Sequence, residues 1–305
     1  MKAFVVHNPA ADNGRTGRDW PALAAALQTV FPGFEGMASP ARGQTARLVR
    51  DALRDGHGEI VVVGGDGTVN EAVNGFFEHG APLSPDAVLN IVQTGAHNDI
   101  GQGRPTGVAA VLALRNAHVR RRDLGHVSCL TPEGMAVTRF FLNAATFGIT
   151  GDSARRLNRA RISAFLGVGA AREVSELMAL AAWCTTRVRL MADNGFDEID
   201  GISAVAVLNG TSFGGGLMVT PDAEPNDGRF DIAILPGDRK RRIRQMFQRL
   251  QRGEKVPLRR RRSTRLTAAP TVETHHPVMV ETDGEAVGML PASFEVVPGA
   301  IRIRI

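Results

Sequence analysis

The chain contains no tyrosine and only two cysteines, Cys129 and Cys184, among its 305 residues. The two thiols form no CxxC pair, so neither a disulfide framework nor a zinc site is indicated, and a reducing cytoplasm is the expected compartment. No uncharged apolar run reaches the ~18 residues needed to span a bilayer. Even the apolar stretch 162–184 carries Arg172, Glu173 and Glu176. Membrane contact is therefore expected to be peripheral, at the inner face. The apolar N-terminal stretch before His7, Asn8 and Pro9 is too short for a signal peptide and reads as a first strand. No Gly-Lys dipeptide occurs, which removes a Walker A loop, and no G-x-G-x-x-G follows the first strand. Internal repeats and low-complexity linkers are also absent.

What is present is an ordinary globular composition, 43% hydrophobic and 22% charged, in a chain long enough for two cores. The net charge of +5 is unevenly spread. Arg239, Lys240, Arg241, Arg242 and Arg244 form one basic stretch, and residues 259–262 are four consecutive arginines. Such runs are most often solvated faces. Here Ile243, Met246, Phe247 and Leu250 fall at i, i+3, i+4 and i+7 among the arginines, the pattern of a basic amphipathic helix. With Arg259 to Arg262 this predicts attachment to an anionic bilayer, although the stripe could equally pack on the protein.

Short β-branched runs at 2–7, 60–63 and 88–92 read as buried parallel strands. Residues 20–30, 45–53 and 106–115 have helical spacing, the second closing at Gly56. An α/β layer follows for residues 1–122, with ligands expected beyond the carboxyl ends of its strands. From residue 123 the pattern alternates, as at 203–208, 230–235 and 301–305, and predicts a mainly antiparallel domain over 123–305. Its last strand could pack back on the first domain. Residues 163–183 and 241–250 are helical patches within it.

The chemistry is concentrated in Gly64-Gly65-Asp66-Gly67-Thr68-Val69-Asn70-Glu71, between the second strand run and an apolar helix pattern. Thr68 and Glu71 have capping-box spacing, which predicts a helix starting at the end of the loop. Backbone N–H groups at such a start, freed by glycine to approach closely, can hold phosphate oxygens without side-chain charge. Asp66 adds a carboxylate suited to magnesium or to accepting a proton.

This run, continued by Ala72-Val73-Asn74-Gly75, resembles the signature of the diacylglycerol kinase catalytic domain family, which includes bacterial lipid kinases, sphingosine kinases and ceramide kinases. Asn8-Pro9 with Gly14, Gly95 with Asn98-Asp99, Asn209-Gly210, the triple glycine 214–216, Pro221-Asp222-Ala223, Asp227-Gly228 and Asp283-Gly284-Glu285 match in order. The resemblance implies an α/β nucleotide domain followed by a β-sandwich-like domain, with the active-site cleft between them. It implies transfer of phosphate from ATP, with Mg2+, to a lipid hydroxyl at a membrane surface: diacylglycerol, ceramide, a sphingoid base or a related lipid. Nucleic acid is not an expected partner, and a homodimer is compatible with the reading.

Carried over by position, Gly64 to Asn70 would contact the nucleotide phosphates, with Asn8, Pro9, Gly14, Ser39, Gly95 and Ala96 in the same pocket. Glu285 takes the position of the general base; Asp66 takes one given the base or magnesium role. A structural magnesium would be held by the Asp227 side chain and by carbonyls at Glu224 and Arg229. By composition alone, residues 282–285 read as a hairpin turn. Two positions depart from the family pattern. Ala96 stands where threonine is usual, and Gln93 replaces a proline. Two other readings compete: an NAD-kinase-like phosphotransferase, which lacks its G-S-T-A-Y segment here, and a lipid-binding regulator without turnover.

Overall fold

The computed structural model describes residues 2–94, 100, 104–148, 185–213, 217–237, 258–271 and 276–304, with isolated positions at 245, 248, 249, 252, 254, 256 and 274. The helical patch 163–183 and the apolar stripe of 241–250 lie outside the described residues. The chain forms two compact units, one of Met1–Leu124 with Pro298–Ile305 and one of Gly125–Val297.

The first unit runs β1 (Ala3–His7), α1 (Arg15–Val30), β2 (Glu35–Ala38), α2 (Gln44–Arg54), β3 (Glu59–Gly64), α3 (Asp66–Gly75), β4 (Phe77–Glu78), β5 (Ala81–Pro82), β6 (Val88–Gln93) and α4 (Gly107–Ala113). β2, β1, β3 and β6 pair in parallel in that order. Every residue of β3 is buried, as a parallel strand covered on both faces requires. Val5, Val61, Val63 and Val92 pack beneath Leu23 and Leu27 of α1 and Val111 of α4. α1 begins five residues before the predicted segment, at Gly14 in the left-handed conformation, with Arg15 and Asp19 paired across its first turn.

The second unit contains β8 (Ala136–Phe141), β9 (Ala144–Gly148), β10 (Thr186–Ala192), β11 (Asp197–Leu208), β12 (Ser212–Phe213), β13 (Leu217–Met218), β14 (Phe230–Pro236), β15 (Arg259–Ser263), β16 (Arg265–Pro270) and β17 (Met279–Thr282). Two long strands, β7 (Val119–Leu130) and β18 (Glu285–Arg304), have residues in both units. Pairing within the second unit is antiparallel throughout the described ladders. Phe141 stacks on Phe230 and Phe147 on Phe294 in its core.

The last strand packs back on the first unit, as the sequence allowed, and the arginine run finds partners. The alternating segment at the C-terminus pairs in parallel with β6 (Arg302↔Val88), so it completes the first unit's sheet. Arg304 reaches Glu59 at 2.7 Å and Asn90 at 2.8 Å, and Asn90 donates to the other Glu59 oxygen. The arginine run 259–262 is β15, and two of its four charges are ion-paired within the protein. Arg259 pairs with Glu198 and Asp200, and Arg262 with Asp227 and Asp231. Arg260 donates to the Val219 carbonyl, and Arg261 lies 5.2 Å from the Phe196 ring centre. Neighbours distant in sequence supply these partners, so Arg259 and Arg262 are not free cations, whereas Arg260 and Arg261 meet neutral groups.

Candidate active site

β3 delivers Gly64 to the carboxyl edge of the first sheet and α3 starts two residues later. Glycine at 64 is a steric requirement, because a Cβ there would lie 2.7 Å from Thr68 Oγ1 and 2.8 Å from Thr68 Cβ. At Gly65, the N-cap, a Cβ would meet nothing within 4 Å, so the loop is open on that side. The N-cap makes no side-chain capping bond. Gly67 and Thr68, in the first turn, therefore present N–H groups that no residue of the helix can accept from, at the positive end of its dipole.

The capping box is not formed. Thr68 lies inside the helix, and its Oγ1 accepts a hydrogen bond from Asn8 Nδ2 at 3.1 Å. Glu71 instead accepts from the N–H groups of Gly43 at 2.7 Å and Thr45 at 3.1 Å, capping α2 across 28 and 26 residues of sequence. The same loop is fixed at Ser39, whose N–H donates to the His7 carbonyl at 2.7 Å and whose hydroxyl donates to Ala41 and accepts from Thr45.

Asn8 is tied on three sides: its N–H donates to Val63, its Oδ1 accepts from the Ala10 N–H, and its Nδ2 holds Thr68. Pro9 follows, with its carbonyl accepting from the Gly17 N–H in α1. The structure thus brings Asn8, Pro9, Gly14, Ser39 and residues 64–68 to one edge of the sheet. Val69 and Asn70 point the other way and are buried within the unit. Gly95 and Ala96 lie outside the described residues.

Asp66 opens α3, and its Oδ1 accepts from Gln93 Nε2 at 2.5 Å. Gln93 is the last residue of β6, paired in register with Gly64 and itself buried. The next residue, Thr94, shares a 2.5 Å hydroxyl contact with Thr16 of α1. A carboxylate has about four acceptor positions, and that of Asp66 stands beside the N–H groups at the start of α3. A magnesium ion held through one carboxylate, with phosphate oxygens completing its shell, fits this arrangement.

The second expected metal position fits less well. Asp227 Oδ1 accepts from the Arg229 N–H at 3.0 Å, and Oδ2 is paired with Arg262. A cation there would have to displace a guanidinium that already neutralises the carboxylate. Nearby Asp231 is raised from its ordinary pKa by burial first, with Arg262 opposing that shift.

His7 ends β1 directly before Asn8. It stacks on Trp20 at 3.6 Å, and burial lowers its pKa below the ordinary 6.5. The unfolded chain then takes up a proton at higher pH than the folded one. The resulting stability is present above pH 6.5 and is lost as pH falls from there through the folded value. Denaturant melts should show wild type losing part of its stability across that window, and His7→Leu should lack that part.

Glu285 begins β18 just after a two-residue turn in which Asp283 and Gly284 have φ of 46° and 85°. These left-handed values are those of a hairpin turn that favours Asp-Gly. The Asp283 carboxylate accepts three backbone N–H bonds, from Leu142 at 2.8 Å and from Asn143 and Ala144 at 3.0 Å. Asn209 holds that segment from behind, donating its N–H to Asn143 and its Nδ2 to Leu142. Sequence reasoning missed both positioning roles. The D-G-E and N-G motifs were the signal, but the segment joining them, 142–144, has no motif of its own.

Comparison with known proteins agrees with these two parts. Residues 2–127 match the diacylglycerol kinase catalytic domain, and residues 144–305 match the YegS C-terminal NAD kinase beta sandwich-like domain. A Pseudomonas putida protein named "Probable lipid kinase YegS-like" is 33% identical over 64% of this chain and 61% of its own length. A diacylglycerol kinase of Mycobacterium tuberculosis is 27% identical over 84% of this chain and 79% of its own. The crystal structure of a diacylglycerol kinase from Bacillus anthracis covers 99% of this chain and 96% of its own, with a TM-score of 0.69 at 20% identity, a likeness of fold. The loop at the end of β3, the sandwich-like second unit and both family matches lead to one assignment: the chain belongs to the diacylglycerol kinase catalytic domain family, in its YegS-like lipid kinase branch.

Proposed function

We propose that the protein transfers the γ-phosphate of ATP to the hydroxyl of a lipid such as diacylglycerol, ceramide or a sphingoid base. The observation that carries this reading is the start of α3, where glycine N–H groups and the Asp66 carboxylate stand together at the carboxyl edge of a parallel sheet. The N–H groups hold phosphate oxygens, and Asn8 keeps the first turn of α3 in place through Thr68. Magnesium, when bound at Asp66, would neutralise charge on the phosphates. Glu285 is assigned the proton of the acceptor hydroxyl, on a turn made rigid by Asp283. Positioning and electrostatics supply most of the rate in such transfers. No step is routed through Asp227.

The test is label transfer. γ-Labelled ATP should pass its label to an organic-extractable product in the presence of magnesium, whereas α-labelled ATP should not. Recovery of label only as inorganic phosphate would oppose the proposal.

Two variants examine the loop. Gly64→Ala forces a Cβ against a β-branched Thr68 already held by Asn8. It should cost about 1–3 kcal/mol of stability and weaken ATP binding, read by thermal melting and calorimetric titration. Gln93→Leu removes the neutral donor to Asp66. A hydrogen bond to a charged group is worth about 1.5–3 kcal/mol, so kcat should fall about 10-fold or more and the magnesium requirement should rise, with the nucleotide Kd little changed. A variant with unaltered magnesium dependence would show that Gln93 has no hold on the site.

A further inference from the structure

Between Ile100 and Arg122 the sequence contains Arg104, Arg115, Arg120, Arg121, Arg122 and His118 but no Asp or Glu. Elsewhere in the first unit arginines commonly meet carboxylates: Arg15 with Asp12 and Asp19, Arg54 with Asp51 and Glu78, Arg304 with Glu59. Among the described residues no carboxylate forms an ion pair with any of the five arginines of this segment. Among the described residues Arg115 and Arg121 donate to the carbonyls of Thr29 and Gly299, which are neutral acceptors. Asp123, next in sequence, accepts from the Gly299 N–H at 2.7 Å, and its charge also acts on Arg122.

The helix within this segment, α4, has an unusual outer face. Ala110, Val111 and Leu114 pack inward, while Val108, Ala109, Leu112 and Ala113 face outward with no charged residue among them. Val108 is 38% exposed and Leu112 45%. An ordinary surface helix carries polar residues there. Arg104 precedes this apolar face and Arg115 follows it, and Arg120 and Arg121 are exposed at the start of β7.

We propose that α4 and the start of β7 form the surface by which this protein docks on an anionic lipid bilayer, the apolar face of α4 entering the headgroup boundary and the flanking arginines meeting lipid phosphates. Arginines without acidic partners among the described residues supply the charge complementarity, and an apolar helix between them supplies a reason for a bilayer over any other polyanion. The segment has no Phe, Trp or Tyr on which nucleic-acid bases could stack. Burial and then the Arg104 charge push the Arg122 pKa down to about 10, with the Asp123 charge opposing them. In the arginine run 259–262, by contrast, Arg259 and Arg262 are ion-paired within the second unit.

The proposal rests on the lipid-kinase reading only for the choice of a bilayer, and its test uses no nucleotide. Vesicles of phosphatidylcholine alone and of phosphatidylcholine with phosphatidylglycerol are sedimented with the full-length protein across a salt series. Wild type should bind the anionic vesicles at low salt, release them as the Debye length shrinks from ~10 Å at 0.1 M towards ~3 Å at 1 M, and ignore neutral vesicles. Each basic residue near such a surface contributes about 1 kcal/mol, roughly a factor of five. The Arg104→Gln, Arg120→Gln double variant should therefore bind about 30-fold more weakly, and Leu112→Asp should also lose affinity. Melting curves check that each variant is folded, and the salt and lipid series on wild type stands even if one is not. Equal binding to both vesicle types, no binding by wild type, an unchanged double variant, or release of the protein from anionic vesicles by equimolar duplex DNA would each overturn the proposal. Binding as described by a protein that phosphorylates no lipid would uphold the surface while removing the kinase reading.

Discussion

Asp66→Asn should lower phosphate transfer by about 10³-fold while leaving a folded protein. Asparagine keeps an Oδ1 that can accept from Gln93, so the contact that ties α3 to the end of β6 survives. What disappears is one negative charge, at the place where a cation and the phosphates must be organised. Removal of a single preorganised electrostatic group commonly costs about 10²–10³ in rate, and loss of a metal-directing carboxylate belongs at the upper end. Stability should change little, because an acidic side chain in the first turn of a helix is worth only about 0.3–1 kcal/mol. Single-turnover rates with saturating ATP, alongside thermal melts, provide the check. A folded variant with wild-type turnover would remove Asp66 from the chemistry.

Glu285→Gln should lower kcat by about 10²- to 10⁴-fold, the usual worth of a general base, with a much smaller effect on nucleotide affinity. The substitution preserves size and leaves the Asp283–Gly284 turn and its three N–H bonds untouched. A loss of rate therefore reports on the proton acceptor and not on the hairpin. Asp283→Asn offers the contrast, because it weakens the bonds that hold the turn and should reduce stability and rate together. If Glu285→Gln loses ATP binding while the chemical step is preserved, Glu285 is a binding residue and Asp66 becomes the base.

Much of the first unit was legible because its signals are local. The valines of β3 form a continuous β-branched run bounded by glycine, and Leu48, Val49, Ala52 and Leu53 mark the buried face of α2. The capping box failed for a tertiary reason. Glycine at 65 allows α3 to begin two residues before Thr68, and Glu71 then finds better donors at the start of α2 than in its own helix. Motif order singled out Asp66 and Glu285, but not the neighbours that hold them. Gln93 and Asn209 act across 27 and 67 residues of sequence. Distance in sequence also hid the pairing of Arg259 and Arg262, whose carboxylate partners lie on other strands and turns of the second unit. The strand at 203–208 looked alternating yet is buried on both faces, which only the sheet's surroundings determine.

The central claim is the identity of the phosphate acceptor. The most direct measurement incubates the protein with ATP and magnesium beside equal amounts of diacylglycerol, ceramide, a sphingoid base and NAD, and follows all products by mass spectrometry. A phosphorylated lipid that forms with time, and is missing with the Asp66→Asn protein, is the predicted result. Phosphorylated NAD as the only product, or no phosphorylated acceptor at all from a folded protein that binds ATP, would contradict it.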